Sequence, residues 1–182
     1  MKGIVFTEFL EMVEDRYSLA MVDQILEAAT PGAGVYTAVG SYNYRELVRL
    51  VEELARATHT PPHTLVKAFG RYLFTRFTAL YPHFFVGTQS AFEFLSKVDQ
   101  HIHIEVLKLY PEAELPRFTW RELPPDGAEM TYHSSRPFAD LAEGLIEGCI
   151  WHYGGRIQVE RLDQTDHTGT TAVFRLTRSG GP

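Results

Sequence analysis

Apolar residues recur at helical spacing from Ile4 to about Tyr110, and past Pro116 the pattern switches to strict alternation. A change of period from about 3.6 residues to two is the feature that most constrains this chain. It calls for a helical portion over about 1–110 followed by a sheet-containing portion over about 111–182. The helical part begins with Ile4, Val5, Phe9, Met12 and Val13, then Leu19, Val22, Ile25, Leu26 and Ala29, before Pro31-Gly32-Ala33-Gly34 breaks it. Asn43 with Glu46 marks a second start ahead of Leu47, Val48, Leu50, Val51 and Leu54. Thr60-Pro61-Pro62 opens a third, since proline fits a first turn whose N–H has no partner. That helix, Thr64 to about Tyr81, is apolar around most of its circumference and is expected to be buried on several sides. Ser90 with Glu93 predicts one more helix, running to Tyr110 and stopped by Pro111.

Beyond Pro116, Arg117 to Glu122 and Ala128 to His133 alternate like two strands around the turn Pro124-Pro125-Asp126-Gly127. Pro137 to about Tyr153 reads as a helix closed by Gly154-Gly155. Arg156 to Leu162 and Thr171 to Leu176 are two more strands around the polar turn Asp163 to Gly169. The expected class is α+β: helices packed on an antiparallel sheet of about four strands with one inserted helix. The chain has 182 residues and no repeat or linker, which predicts a single domain over 1–182.

Composition excludes several functions. Aromatic residues reach 13%, too many for a disordered segment. The formal charge of −6 argues against a nucleic-acid partner, which must have its phosphates neutralised. No apolar run approaches the ~18–20 residues of a membrane span, and Glu8 interrupts any signal-peptide core. The single cysteine, Cys149, can form no internal disulfide and no thiolate metal cage, so a reducing, cytoplasmic setting is expected, with Cys149 a small buried hydrophobe. No phosphate loop, nucleophile elbow, calcium loop or carboxylate pair is present, so an enzyme is not expected.

Two features could carry chemistry. His101 and His103 lie about 200° apart on a helix. His101 shares its face with Lys97, Glu105 and Lys108. His103 lies with Leu107 and Tyr110 and borders the stripe Leu95, Val98, Ile102, Val106 and Leu109, so His103 is the one expected to point inward. Such a histidine is more often a packed core residue than a metal ligand, and spacing leaves both open. The second feature is Tyr132-His133-Ser134-Ser135-Arg136. As a strand end it would put a phenol, a hydroxyl and a guanidinium on one face, a set suited to a pair of carboxylates. A solvated edge strand is the plainer reading of the same residues.

Taken together, these residues resemble the haem nitric oxide/oxygen-binding (H-NOX) domain family, the sensor domain of soluble guanylate cyclase and its bacterial relatives. The likeness runs through His103 to Pro111, Leu115-Pro116-Arg117-Phe118 and Tyr132-x-Ser134-x-Arg136. Met1-Lys2-Gly3, Ala68-Phe69-Gly70 and Gly144-Leu145-Ile146-Glu147-Gly148 extend it over nearly the whole chain. The resemblance implies haem b held between the helical part and the sheet, with His103 as the protein ligand to iron. It implies that Tyr132, Ser134 and Arg136 bind the propionates and that Pro116 packs on the porphyrin. Ile4, Val5, Phe9, Leu73, Phe74, Leu141 and Leu145 would supply apolar walls.

Oxygen-binding members have a tyrosine where this chain has Leu141, and some have an asparagine where it has Leu73. The resemblance therefore implies a nitric oxide sensor, also open to carbon monoxide, that disfavours oxygen. It would signal to a separate histidine kinase or cyclic-di-GMP enzyme. The alternatives are a haem-free scaffold of the same fold and, more weakly, a nitric oxide scavenging enzyme.

Overall fold

The computed structural model describes residues 1–32, 35–162 and 168–179. The expected polar turn falls largely on 163–167, and the first chain break partly on 33–34, which lie outside the described residues. The helices are α1 (Gly3–Arg16), α2 (Leu19–Ala29), α3 (Tyr44–Thr58), α4 (Pro62–Leu80), α5 (Ala91–Ser96), α6 (His103–Leu109) and α7 (Ala139–Tyr153). The strands are β1 (Arg117–Leu123), β2 (Gly127–His133), β3 (Ile157–Arg161) and β4 (Thr171–Arg178). They form one antiparallel sheet in the order β1-β2-β4-β3. The α+β expectation holds in class, order and strand number.

Local chemistry explains the starts. The first free N–H groups of α1 are taken by the loop before α3: Gly3 N donates to Gly40 O at 2.8 Å and Ile4 N to Ala38 O at 3.0 Å. Asn43 caps α3 by accepting from Arg45 N at 3.0 Å. Its expected partner Glu46 turns elsewhere and accepts the Tyr36 hydroxyl at 2.9 Å. Ser90 Oγ accepts from Glu93 N at 3.2 Å, and Glu93 Oε2 from Gln89 N at 3.0 Å.

One element departs from expectation. The single helix predicted from Ser90 to Tyr110 is three pieces: α5, a π-helical turn over Val98–Ile102, and α6. The wide turn is closed by Ile102 N donating to Lys97 O at 3.3 Å. Asp99 lies inside it, and its Oδ1 accepts from Phe118 N at 2.9 Å at the start of β1. A π turn adds one residue to the helical repeat and rotates everything after it. The stripe drawn through an ideal helix therefore fails at Leu107, which is 39% exposed rather than facing inward with His103.

Burial divides the core in two. Phe6, Phe9, Met12, Ile25, Leu47, Leu50, Leu54 and Phe69 join α1–α4. Met130, Tyr132, Ala172, Phe174 and Leu176 form the buried sheet face, covered by Ala139, Ala142, Ile146 and Cys149 of α7. The halves meet where α4 crosses α7. A Cβ at Gly144 would lie 2.1 Å from the Lys67 carbonyl oxygen, and one at Gly70 would lie 2.5 Å from that of Leu141. Only glycine lets these backbones approach so closely. Lys67 spans the crossing to Glu143 (2.6 Å) and Glu147 (2.8 Å).

Candidate functional site

A cavity of about 480 Å³ lies between the helical portion and the sheet, within the usual range for a small-molecule site. Ile4 and Val5 of α1, Leu73, Phe74 and Phe77 of α4, and Leu141 and Leu145 of α7 supply one set of walls. Leu95, Val98, Ile102, His103 and Val106 supply another, with Pro116 and with Phe118, Met130 and Tyr132 of the sheet. Polar lining groups gather around Arg136: Met1, Lys2, Ser41, Glu114 and Ser134.

Every residue the sequence singled out lines this cavity except one. Phe9 is fully buried and sits edge-on against Phe69, with ring centroids 5.3 Å apart, inside the α1–α4 core. From Ile4 and Val5, a wall residue one turn further along α1 is turned away from the cavity and into the bundle. Phe9 is therefore a core residue.

His103 stands at the start of α6 with its side chain 17% exposed. Its ring lies 5.7 Å from that of Phe118, which in turn lies 5.5 Å from that of Tyr132. Burial holds the His103 imidazole below its ordinary pKa, against the opposing pull of the Asp99 carboxylate and the Pro116 backbone. The ring is therefore neutral at pH 7, the form that ligates a metal. Among the described residues, His103 Nδ1 is the one buried side-chain polar atom with no hydrogen bond, an unusual state that asks for a reason. His101, two residues earlier, is exposed, as its face predicts.

The Tyr132, Ser134 and Arg136 set is brought together differently from the strand-face expectation. β2 ends at His133, so only Tyr132 belongs to the strand. Ser134 and Arg136 sit in the following turn, where Ser134 Oγ accepts from Arg136 N at 3.1 Å and Tyr132 Oη donates to Arg136 O at 3.3 Å. A serine turn, not a period of two, groups them. Burial pushes the Tyr132 phenol up, so it stays a neutral donor.

Sequence reasoning missed Glu114, and it did not single out Phe77, Tyr81 or Tyr110 as lining a site. The Tyr81 and Tyr110 hydroxyls lie 3.4 Å apart, so one donates to the other. The Tyr81–Tyr110 and Glu114–Arg136 pairings span 29 and 22 positions, so no local pattern marks them. Among the described residues, no three His, Cys, Asp or Glu side chains converge on a metal position. A metal held at His103 would thus have that one protein ligand.

The family model described as Haem-NO-binding matches residues 2–161. The chain belongs to the Haem-NO-binding, or H-NOX, family. Solved H-NOX structures share its fold over its whole length. The Shewanella woodyi protein, solved with IWP-051 in the Fe(II)CO state, is 38% identical with a TM-score of 0.84, covering 100% of this chain and 97% of its own. The K. algicida protein in the Fe(II) unliganded state is 32% identical with a TM-score of 0.89, covering 100% and 98%. The S. oneidensis protein in the Fe(II)NO state is 29% identical with a TM-score of 0.92, covering 99% and 100%. Among curated proteins, none matches. No helix among the described residues of this H-NOX chain is long and apolar enough to cross a membrane.

The residues present fit a haem. One neutral imidazole projects from an otherwise apolar wall, and a guanidinium, a hydroxyl and a phenol stand together where two carboxylates could be taken.

Proposed function

We propose that this H-NOX protein is a cytoplasmic gas sensor that binds haem b, takes nitric oxide and carbon monoxide, disfavours oxygen, and signals to a separate protein. The observation that supports this most directly is the cavity itself: one neutral histidine on an apolar wall, with Tyr132, Ser134 and Arg136 at a polar end. When bound, haem would supply an iron able to take a diatomic gas.

The chain's own residues do the rest. His103 gives its imidazole to the metal. Arg136 would take a propionate with its planar fork, Ser134 would add a hydroxyl donor, and Tyr132 would add its own on leaving the Arg136 carbonyl. Pro116 backs the ring. Ile4, Val5, Leu73, Phe74, Leu141 and Leu145 exclude water and present no donor. That lack of a donor would disfavour oxygen, which depends on a hydrogen bond more than nitric oxide does. One hydrogen bond to a charged acceptor is worth about 1.5–3 kcal/mol.

α6 carries His103 on one side and exposed Ile104 and Leu107 on another. A change in how His103 is held therefore reaches a surface that a partner can read, which on α6 also carries Glu105 and Lys108. A histidine kinase or a cyclic-di-GMP enzyme is the partner class proposed.

Absorption spectra of the purified ferrous protein under argon, air, carbon monoxide and nitric oxide test this reading. The expected result is a Soret band that is unmoved by air and shifted by both other gases. Failure to take up haem on reconstitution would leave the scaffold reading, and a stable shift in air would overturn the selectivity.

A further inference from the structure

The guanidinium of Arg136 already has an anion. Its Nη2 lies 2.5 Å from Glu114 Oε2, and its Nη1 reaches the Glu114 carbonyl at 3.5 Å. The two partners are unequally placed: the Arg136 side chain is 13% exposed and that of Glu114 is 72% exposed. Arg136 is also anchored, through its backbone to Ser134 and Tyr132 and through its guanidinium 5.9 Å over the Tyr44 ring. Among the described residues Glu114 makes no other side-chain hydrogen bond, and water would receive its carboxylate at little cost.

We propose that Glu114 is a competitor for the ligand's carboxylates, holding Arg136 until a propionate takes it. The inference rests on the haem reading above and concerns how tightly that ligand is held. The charges nearby point the same way. The Met1 ammonium, which donates to Tyr42 O at 2.8 Å, and Lys2 line the same end of the cavity as Arg136. Burial first, and then Arg136, hold the Met1 amine below its ordinary pKa, and Glu114 opposes them. Glu112 is the other carboxylate lining the cavity. Neutralising Glu114 therefore frees the arginine fork to bind a dianionic ligand bidentately, with Lys2 lining the same cavity.

Titration of the haem-free protein with haem, read at the Soret band, tests this with wild type, Glu114→Gln, Arg136→Ala and the double variant. A second titration uses haem dimethyl ester, whose carboxylates are blocked. Glu114→Gln is expected to bind haem about three- to tenfold tighter than wild type, the size suited to a half-exposed ion pair. The gain is expected to vanish with the ester and in the Arg136→Ala background. Haem binding by Glu114→Gln that equals wild type overturns the proposal, and weaker binding overturns it by making Glu114 an orienting residue for Arg136. A gain that persists with the ester also overturns it. Absence of a Soret band in all four proteins overturns the haem reading itself.

Discussion

Asp99 Oδ1 lies 3.8 Å from His103 Nδ1, one turn earlier in the same broken helix. The same oxygen accepts the Phe118 N–H at 2.9 Å, so the carboxylate is committed to the sheet while it faces the imidazole. One side chain thus fixes the π turn, the start of β1 and the surroundings of His103. Asp99→Asn, which keeps the amide oxygen as acceptor, should leave stability near wild type. Asp99→Ala orphans the Phe118 N–H and should cost about 1–2 kcal/mol in urea unfolding. Equal losses in the two variants would mean that charge, not the hydrogen bond, matters there.

His103→Ala should abolish stable haem uptake or leave uptake dependent on added imidazole, because it removes the protein ligand proposed for the iron. His101→Ala should change little, since that side chain is exposed. A haem titration followed at the Soret band compares them, and exchanged phenotypes would reverse the assignment of the two faces.

Gly144→Ala should destabilise the fold by about 3 kcal/mol, the upper end for overpacking. Its new methyl would lie 2.1 Å from the Lys67 carbonyl oxygen, and two helix backbones must separate to admit it. Thermal unfolding measures the loss. A fall in Tm no larger than that of an exposed Gly-to-Ala change would show that the crossing can open freely.

The fold was legible because its signals are local. Pro111, the Pro124-Gly127 turn and the strand alternation lie within a few residues of what they control. Most of the cavity was legible for a related reason, since His103 and the Tyr132–Arg136 run are short motifs. What was hidden depends on long-range contact. The π turn exists together with the bond from Asp99 to a strand 19 residues away, and nothing in Lys97-Val98-Asp99-Gln100 announces it. Glu114 reaches Arg136 across 22 residues, and in sequence it is one more acidic residue in a loop. Phe9 misled for the opposite reason: periodicity puts a residue on a face but cannot say whether that face meets a cavity or a neighbouring helix.

Tyr36 gives a pH dependence outside the cavity. It is buried, stacks on Phe6 at 4.7 Å and donates to Glu46 Oε2. Burial, and then the Glu46 carboxylate, push its phenol from 10.0 up to about 12. The unfolded chain releases this proton near pH 10, while the folded chain keeps it. The contribution is therefore fully present below pH 10 and is lost as pH rises towards 12. Wild type should lose about 1–3 kcal/mol over that window from this group. Tyr36→Phe should start less stable at pH 8 and fall less steeply above pH 10 in denaturant titrations. An identical alkaline slope would assign the loss to other phenols.

Selectivity among gases makes the last prediction. Leu73 is 2% exposed, and both it and Leu141 line the cavity with hydrocarbon. Neither offers a proton, and the nearby Tyr81 and Tyr110 hydroxyls lie within hydrogen-bonding distance of each other. Leu141→Tyr would introduce a phenol, and Leu73→Asn beside it would give that phenol a partner and a fixed direction. An added hydrogen bond to a charged acceptor, about 1.5–3 kcal/mol, corresponds to roughly ten- to a hundredfold in affinity. The double variant should therefore bind oxygen at least tenfold more tightly than wild type, or release it correspondingly more slowly, in stopped-flow measurements on the ferrous protein. Carbon monoxide, which carries little charge when bound, should change much less. Parallel gains for both gases would mean that the substitutions had reshaped the pocket. An oxygen affinity that does not move at all would mean that the proposed selectivity does not rest on the missing donor.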